Sequence, residues 1–370
     1  MQINTQYSHK IPHFHGRTLP EPGFIVGYAA IITALELPVP PPDQVALISE
    51  RNKQYKENGW LVFPPKYQPE ESLYRQLVFA LKYEGINMLL FKKLFLVLEK
   101  EQILAVLNME PTGQYSRKIW FLYEWLMDDK LEIPDLKIKS PVPLLDEKLQ
   151  YAVKGTSSPR HRIINNLPGT PGFCPLIRKT KKLKNEQRAD WAKQKQQLFS
   201  AVHRDILQRT AAFLLLKDSK ASFTIENETP SNQRAQRWGE AIGQAGLQPL
   251  TKTELLRLQD LVIGNRRFIS MGFRQEGGYV GSRDRTTGDP LPDHISARWQ
   301  DVEELLDHLI RTDTFLESNH FDAVLAAAIT AFGFVFIHPF EDGNGRIHRY
   351  LIHHILTRLK MTEPGLVFPI

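Results

Sequence analysis

The chain has little cysteine and no long apolar run. Cys174 is the only cysteine among 370 residues, so one chain cannot form an internal disulfide, which favours a reducing compartment. The longest apolar stretches, residues 24–37 and 323–337, are shorter than the roughly 20 residues that a membrane-spanning helix needs. The first residues also lack the charged-then-apolar order of a signal peptide. We therefore expect a cytoplasmic protein with no membrane partner.

An excess of charge of one sign is confined to one short segment. The net charge is +6, and residues 178–197 hold eight Lys or Arg against two Asp or Glu, so the rest of the chain is neutral overall. One short basic run is more typical of a solvated helix face or a linker than of a nucleic-acid surface. Nucleic acid is therefore not an expected partner.

The length predicts two or three domains, and composition divides the chain into three segments. Residues 1–135 predict a mostly helical region without a recognisable chemical motif, with a buried helix at 24–37. Residues 136–184 form a Pro/Gly-rich and then basic connector. Residues 185–370 return to helical patterns. The apolar ending V-F-P-I is uncommon for a natural domain and favours a chain cut from a longer one.

The third segment is predicted to be mainly α. Between its helices, residues 277–292 are rich in Gly, Asp and Pro, which predicts a short β-hairpin or flap. The predicted helices cover residues 185–216, 233–243, 252–262, 297–311, 321–337 and 346–359.

Residues 338–349, H-P-F-E-D-G-N-G-R-I-H-R, combine the residue types of an anion site with a base. The preceding helix is apolar nearly all round and is predicted to lie in the core. Pro339 stops that helix, which places the His338 imidazole at the end of a rigid scaffold. Gly343 and Gly345 permit a backbone nest whose N–H groups bind an anion at the start of the next helix.

Charged side chains complete this pattern. Arg346 and Arg349 are three residues apart, so they share one helix face and can bring two guanidinium groups to the same anion. A carboxylate at Asp342 is disfavoured beside bare phosphate unless a divalent cation lies between them, which is the usual arrangement for Mg²⁺. The pattern therefore predicts a phosphate site with a general base.

A hydrolytic metal site is the alternative reading of the same stretch. The stretch and the helix predicted after it contain four histidines within 17 residues, His338, His348, His353 and His354. Adjacent helical residues point about 100° apart, so these histidines do not converge, and two arginines would repel a metal that lacks phosphate. The metal reading is therefore disfavoured.

The stretch resembles the signature of the Fic family, H-x-F-x-(D/E)-G-N-G-R-x-x-R, at every specified position. The resemblance implies a Fic-type helical bundle with a short β-hairpin flap, preceded here by the mostly helical N-terminal region. It implies that His338 is the general base for a target hydroxyl, that Asp342 holds Mg²⁺ on the nucleotide, and that Phe340 anchors the loop. The implied reaction moves AMP from ATP to a Ser, Thr or Tyr hydroxyl and releases pyrophosphate.

The same resemblance assigns the phosphate contacts. The backbone of Gly343, Asn344 and Gly345, with the Asn344 side chain, would cradle the phosphates. Arg346 would neutralise them and Arg349 would bind the γ-phosphate. A family branch that acts as a kinase has lysine at the position of Gly345, so the glycine found here favours nucleotidyl transfer.

A second stretch, S-F-T-I-E-N at residues 222–227, resembles the family's autoinhibitory pattern (S/T)-x-x-x-E-(G/N), in the class with an N-terminal inhibitory helix. The matching residues are Ser222, Glu226 and Asn227. The resemblance implies that Glu226 pairs with Arg349 in place of the γ-phosphate, because both anions compete for one cation.

A third and looser resemblance concerns Gly278, Tyr279, Val280 and Gly281, which are similar to the family's flap, a strand-like segment that aligns the target. An ordinary hairpin is the alternative.

We therefore expect an adenylyltransferase that uses ATP and Mg²⁺, acts on a target protein or on itself, and is autoinhibited by Glu226. Two alternatives stay open. The same site could remove AMP from a modified protein, with Glu226 orienting water. The chain could instead be a toxin or DNA-associated regulator that binds through residues 178–184, and a strongly salt-dependent association would indicate this. The identity of the target and the oligomeric state are not determined by the sequence, which is compatible with a homo-oligomer.

Overall fold

The computed structural model describes residues 6–188, 204–263 and 269–362. Two sequence predictions fall partly or wholly outside this range. The middle of the helix predicted at 185–216 is not among the described residues, and neither is the V-F-P-I ending.

The chain divides into two compact units. Unit 1 comprises Met1–Leu167 and Leu176–Lys179, and unit 2 comprises Pro168–Pro175 and Thr180–Ile370. The predicted connector, residues 136–184, contributes to both units. The motif at 338–349 and the stretch at 222–227 both belong to unit 2.

Unit 1 combines helices with short strands. Its helices are α1 (Tyr28–Ala34), α2 (Leu73–Tyr83), α3 (Met88–Val97), α4 (Lys100–Asn108) and α5 (Gln114–Met127), and a 3₁₀ turn covers Pro65–Tyr67. Its strands are β1 (His13–Phe14), β2 (Arg17–Thr18), β3 (Gly23–Val26), β4 (Val45–Ser49), β5 (Tyr55–Glu57), β6 (Trp60–Phe63), β7 (Val142–Pro143), β8 (Thr156–Ser158) and β9 (Ile163–Asn165). The strands make a β1–β2 pair, a four-stranded sheet in the order β3-β4-β6-β5 and a three-stranded sheet in the order β7-β9-β8.

The four-stranded sheet corrects the prediction of one buried helix at residues 24–37. The first part of that run is strand β3, which pairs antiparallel with β4. Gly27 then adopts a φ of 65°, which ends the strand, and α1 follows. A short apolar run fits a buried strand as well as a buried helix, so periodicity alone could not separate the two.

Further along unit 1 the chain is helical, in keeping with the mostly helical region expected for residues 1–135. Apolar residues at helical spacing between residues 70 and 107 form α2, α3 and α4. Gly85 adopts a φ of 81° between α2 and α3, where the chain leaves the first of these helices. The sheet packs on α2 through a cluster that includes Val26, Ile48, Phe63 and Phe79.

Unit 2 is mainly helical, as predicted. Its helices are α6 (Lys181–Arg188), α7 (Arg204–Ile225), α8 (Asn232–Gly243), α9 (Lys252–Val262), α10 (Val302–Ser318), α11 (Ala323–Ile337) and α12 (Asn344–Arg358), with a 3₁₀ turn at Trp299–Asp301. Polar caps define several starts: Thr251 accepts a hydrogen bond from Glu254 N (3.0 Å), and Asp322 accepts one from Leu325 N (3.0 Å). Among the described residues, no helix has both the length and the apolar character that crossing a bilayer requires.

Helix α11 departs from the prediction that it would be buried all round. Ala331, Phe334 and Ile337 are buried, but Phe332 and Phe336 on the opposite side are more than half exposed. An apolar helix can therefore sit at the edge of the core and leave one stripe uncovered. Its buried side packs against α12, and this pairing carries the motif.

The predicted hairpin is also confirmed. Strands β10 (Tyr279–Arg283) and β11 (Pro290–Ile295) pair antiparallel, with a register shift between Val280 and Gly281. At the turn, the Asp284 carboxylate accepts hydrogen bonds from Thr286 N (2.7 Å) and Thr287 N (2.9 Å).

Candidate active site

His338 is the residue at which α11 ends. Its backbone N donates to Phe334 O (3.0 Å), and its φ of 55° turns the chain out of the helix. This left-handed conformation is uncommon for a residue with a side chain, and Pro339 prevents the helix from continuing. The imidazole is thus placed by a rigid helix end.

The loop between the two helices is held by its own side chains. Gly343 has a φ of 96° at the start of α12, a conformation that suits glycine. Asn344 is buried, its Oδ1 accepts from Phe340 N (3.1 Å), and its Nδ2 donates to Phe340 O (2.8 Å). The sequence prediction gave the Asn344 side chain a part in the phosphate cradle. In the structure that side chain closes the loop, which leaves its backbone amide, with that of Gly345, at the open start of the helix.

Arg346 is fully buried between two carboxylates. Its Nη2 donates to Asp342 Oδ1 (2.7 Å) and its Nη1 to Glu228 Oε1 (2.5 Å). The guanidinium also lies over the Phe223 ring, 5.2 Å from its centroid. Glu228 in turn accepts from Arg234 (2.5 Å). Arg346 therefore joins the motif loop to the segment that follows α7.

Arg349 lies one turn further along α12 and contacts two of the residues predicted to be inhibitory. Its Nε donates to Ser222 Oγ (2.9 Å), and its Nη2 donates to Ser222 O (2.8 Å) and to Glu226 Oε1 (2.9 Å). The Glu226 carboxylate also lies against the nest, because a Cβ added to Gly345 would come within 2.1 Å of Glu226 Oε1. The structure thus brings Ser222, Glu226, Gly345 and Arg349 together.

The geometry explains why these residue types occur at this spacing. Glu226 is the first residue after α7 and lies four residues after Ser222, so both face the same side at the end of the helix. Asn227, the next residue, adopts a φ of 60°, and asparagine tolerates this left-handed conformation. The chain can therefore turn away immediately after Glu226.

The pKa of His338 is lowered from its ordinary value. The main cause is burial. A hydrogen bond with the backbone of Val335 opposes it, the positive charge of Arg274 and the nearby His294 lower the pKa further, and Glu226 raises it. The imidazole is therefore neutral at neutral pH, which is the form that accepts a proton.

The hairpin lies next to the end of α11. His294 on β11 donates from Nε2 to Phe336 O (2.8 Å). Tyr279 pairs with Ile295, and Gly278 precedes them at the root, where its carbonyl accepts from Ser296 N (3.0 Å). Val280 is 43% exposed, so the strand that carries the predicted flap residues faces solvent at this point.

The histidines named in the metal alternative do not converge. The described part of the chain holds no group of three or more His, Cys, Asp or Glu that could bind a metal ion. His353 faces Asp218 (3.4 Å), and His354 Nδ1 accepts from Gly246 N (3.2 Å). Burial lowers the pKa of His354 to about 4 and also lowers that of His348.

Asp342 is suited to a divalent cation that is already bound to phosphate. Both hydrogen bonds that the structure gives its carboxylate, from Arg346 and from Gly343 N (2.5 Å), fall on Oδ1. The carboxylate is partly exposed at the mouth of the nest. One such carboxylate together with phosphate oxygens is the usual protein environment of Mg²⁺.

Sequence reasoning missed Glu228, Arg234 and Arg274. Glu228 lies two residues after Glu226, so its position is a weak signal that an acid pairs with the first arginine of the motif. The contacts of Arg274 are mostly with main-chain carbonyls, for which the sequence holds no pattern.

Comparisons with known proteins find a family match in one segment of the chain. Residues 249–356 match the model of the Fic/DOC family, and this range includes the whole motif but not residues 222–227. The likeness to the Fic/DOC family therefore lies in this segment, which is less than half of the chain.

One curated relative is the protein adenylyltransferase Fic of Nematostella vectensis, which is 31% identical over 123 residues. The match covers 32% of this chain and 27% of the relative, so the chain spans about a quarter of that protein's length. A solved structure of a Fic domain containing signaling protein from Bacteroides thetaiotaomicron is 21% identical, with a TM-score of 0.30. That match covers 38% of this chain and 56% of the other.

Proposed function

We propose that this chain is a protein adenylyltransferase, with ATP as donor and a protein hydroxyl of Ser, Thr or Tyr as acceptor. One observation carries the proposal: a neutral histidine fixed at a helix end lies one loop away from a glycine nest that faces an arginine. The relative that is named an adenylyltransferase supports the same reaction.

Each residue has a definite part in the proposed reaction. The His338 imidazole takes the proton of the acceptor hydroxyl, whose oxygen bonds to the α-phosphorus of ATP. The bond from that phosphorus to the bridging oxygen breaks, and pyrophosphate leaves. The amides of Asn344 and Gly345 at the start of α12 hold phosphate oxygens, and Arg349 binds the outermost phosphate. Mg²⁺ would be held by Asp342 and would neutralise charge on the phosphates.

We further propose that the site is autoinhibited by Glu226. Its carboxylate forms a charge-assisted hydrogen bond with Arg349 and fills the space in front of Gly345. A phosphate that binds the same guanidinium must displace the Glu226 carboxylate. Ser222 binds the same arginine through its hydroxyl and carbonyl, so Arg349 stays in position whether or not Glu226 is present.

Intact-mass measurement after incubation with ATP and Mg²⁺ tests both proposals. We expect a gain of one AMP on the chain or on an added acceptor protein with Glu226→Gly, a smaller gain with the unchanged chain, and none with Glu226→Gly/His338→Ala. AMP transfer that persists without His338 would contradict the assignment of the base. Equal transfer with and without Glu226 would contradict autoinhibition.

The position of Glu226 also favours a second candidate function, the removal of AMP from a modified protein. The carboxylate already lies in the site, 2.9 Å from Arg349, where it could orient a water molecule for attack on a phosphodiester. Release of AMP from an AMP-modified protein by the unchanged chain, lost in Glu226→Gly, would identify this reaction. Transfer from ATP would instead rise in the same variant.

A further inference from the structure

Arg274 is a buried cation in unusual surroundings. It is 8% exposed, and in the described part of the chain the hydrogen bonds of its guanidinium all go to main-chain carbonyls. Burial lowers the pKa of this guanidinium, which shows that its charge is costly to keep there.

The carbonyls that Arg274 binds belong to two separate parts of the site. Nε donates to His338 O (2.7 Å) and Nη2 to Ile337 O (3.3 Å), at the turn that carries the proposed base. Nη1 donates to Glu276 O (2.7 Å), and Nη2 donates to Ala297 O. Glu276 precedes strand β10 and Ala297 follows strand β11, so one planar group holds both ends of the hairpin and the histidine turn.

The backbone around Arg274 strengthens this connection. Arg274 N donates to Pro339 O (2.9 Å), and Ala297 N donates to Ile337 O (3.3 Å). The neighbouring Phe273 ring stacks on Phe340, with centroids 5.4 Å apart and planes inclined by 19°. The root of the hairpin and the turn at His338 are therefore packed as one piece.

We propose that Arg274 is the positioning residue that fixes the root of the β10–β11 hairpin relative to the His338 imidazole. The catalytic part of this inference rests on the proposed function, because it treats His338 as the base and the hairpin as the target-binding segment. A planar guanidinium offers five N–H donors in one fixed arrangement, so it can hold three chain segments at once. Lysine offers a single ammonium on a flexible stem and cannot do so.

The charge of Arg274 has an effect that can be measured separately from its geometry. The charged or titratable groups that act on His338 are Arg274, His294 on the hairpin and Glu226 at the end of α7. Arg274 and His294 disfavour protonation of the imidazole and Glu226 favours it. Removing the charge of Arg274 is thus expected to raise the pKa of His338, whereas a lysine would keep the pKa near its present value.

The test compares Arg274→Met and Arg274→Lys with Arg298→Met in the full chain. Arg298 is a matched control, because it directly follows Ala297 but is exposed and pairs with Asp301 (2.8 Å). His338 is titrated by NMR, with its signal assigned by its loss in His338→Ala, and amide exchange is followed across β10 and β11. Single-turnover AMP transfer is measured in the Glu226→Gly background.

In Arg274→Met we expect a raised pKa of His338, faster amide exchange in the hairpin, and a rate of AMP transfer about 10²-fold lower, with little change in ATP affinity. In Arg274→Lys we expect the rate loss and the faster exchange without the change in pKa. The control variant, Arg298→Met, should match the unchanged chain in the pKa of His338, in amide exchange and in the rate of AMP transfer. If Arg274 only stabilised the fold, both variants would lower the melting temperature, and the pKa of His338 would not distinguish Arg274→Met from Arg274→Lys.

A folded Arg274→Met with an unchanged His338 titration and unchanged hairpin exchange would overturn the proposal. If Arg274→Met does not fold, Arg274→Lys provides the test. Unchanged amide exchange in the hairpin together with an unchanged rate of AMP transfer in Arg274→Lys would overturn the proposal. The NMR and exchange measurements need no ATP. A chain that never transfers AMP would therefore refute the proposed function while leaving the positioning role of Arg274 to be decided by them.

Discussion

The contact between Glu226 and Arg349 makes a quantitative prediction about ATP binding. Replacing Glu226 with glycine removes the carboxylate that lies 2.9 Å from the guanidinium and against Gly345. The two hydrogen bonds from Arg349 to Ser222 remain, so the arginine stays in place and the Nη2 donor that Glu226 occupied becomes available to a phosphate. ATP should therefore bind more tightly to this variant.

The size of the effect follows from the environment of the pair. A hydrogen bond to a charged group contributes about 1.5–3 kcal/mol, whereas a fully exposed ion pair contributes less than about 1 kcal/mol. The Arg349 side chain is 14% exposed and that of Glu226 is 35% exposed, which places this pair near the lower end of the first range. A free energy of about 1.5–2 kcal/mol corresponds to a gain of about 10- to 30-fold in ATP affinity.

Isothermal titration with ATP and Mg²⁺ measures this gain directly. Glu226→Gln keeps most of the bulk and removes the charge, so its affinity should lie between those of the unchanged chain and Glu226→Gly. Glu240→Gln is a suitable control, because Glu240 is an exposed glutamate of α8 that pairs only with Gln236 among the contacts seen (3.2 Å).

Equal ATP affinity in Glu226→Gly and the unchanged chain would refute competition between Glu226 and phosphate for Arg349. Affinity that rises in Glu226→Gly but not at all in Glu226→Gln would show that bulk in front of the nest, and not competition for the cation, excludes the phosphate.

Two further predictions concern acid–base chemistry and the stability of the site. Because burial lowers the pKa of His338 below its ordinary value of about 6.5, the acid limb of AMP transfer should have its midpoint below about pH 6.5. A single-turnover pH profile whose acid limb has its midpoint above that value contradicts this. Glu228→Gln should destabilise unit 2 by about 2 kcal/mol, because the fully buried Arg346 then keeps only Asp342 as a charged partner. Calorimetry should show a lower melting temperature for Glu228→Gln than for the Glu240→Gln control. An unchanged melting temperature contradicts the prediction.

The local geometry that the structure shares with the sequence predictions is encoded over a few residues. The turn at His338 follows from an apolar helix ended by Pro339, and the left-handed start of α12 follows from Gly343; the anion nest itself stays a prediction. The placement of Glu226 on Arg349 followed from a resemblance in a stretch of six residues. In the first two cases the spacing within one loop already determines the local geometry, whereas Glu226 and Arg349 are 123 residues apart and only the resemblance predicted that they meet.

The four-stranded sheet of unit 1 could not be predicted in the same way. Strands β4 and β6 pair parallel and are buried throughout, so their residues V-A-L-I-S and W-L-V-F show no alternation of apolar and polar side chains. The exposed stripe of α11 could not be predicted either, for a different reason. Phe332 and Phe336 are as apolar as their buried neighbours, and only tertiary packing decides which face is covered.

The three arginines that meet around the motif show why residue type alone does not reveal a role. Arg274 is fixed by main-chain carbonyls, and Arg346 is fully buried between Asp342 and Glu228. An anion that took the place of either carboxylate on Arg346 would break one of these ion pairs. Arg349 alone of the three combines partial exposure with a single carboxylate that lies beside the nest. Exchange of that carboxylate for a phosphate costs one hydrogen bond, so inhibition at Arg349 can be reversed without unfolding the loop that holds the base.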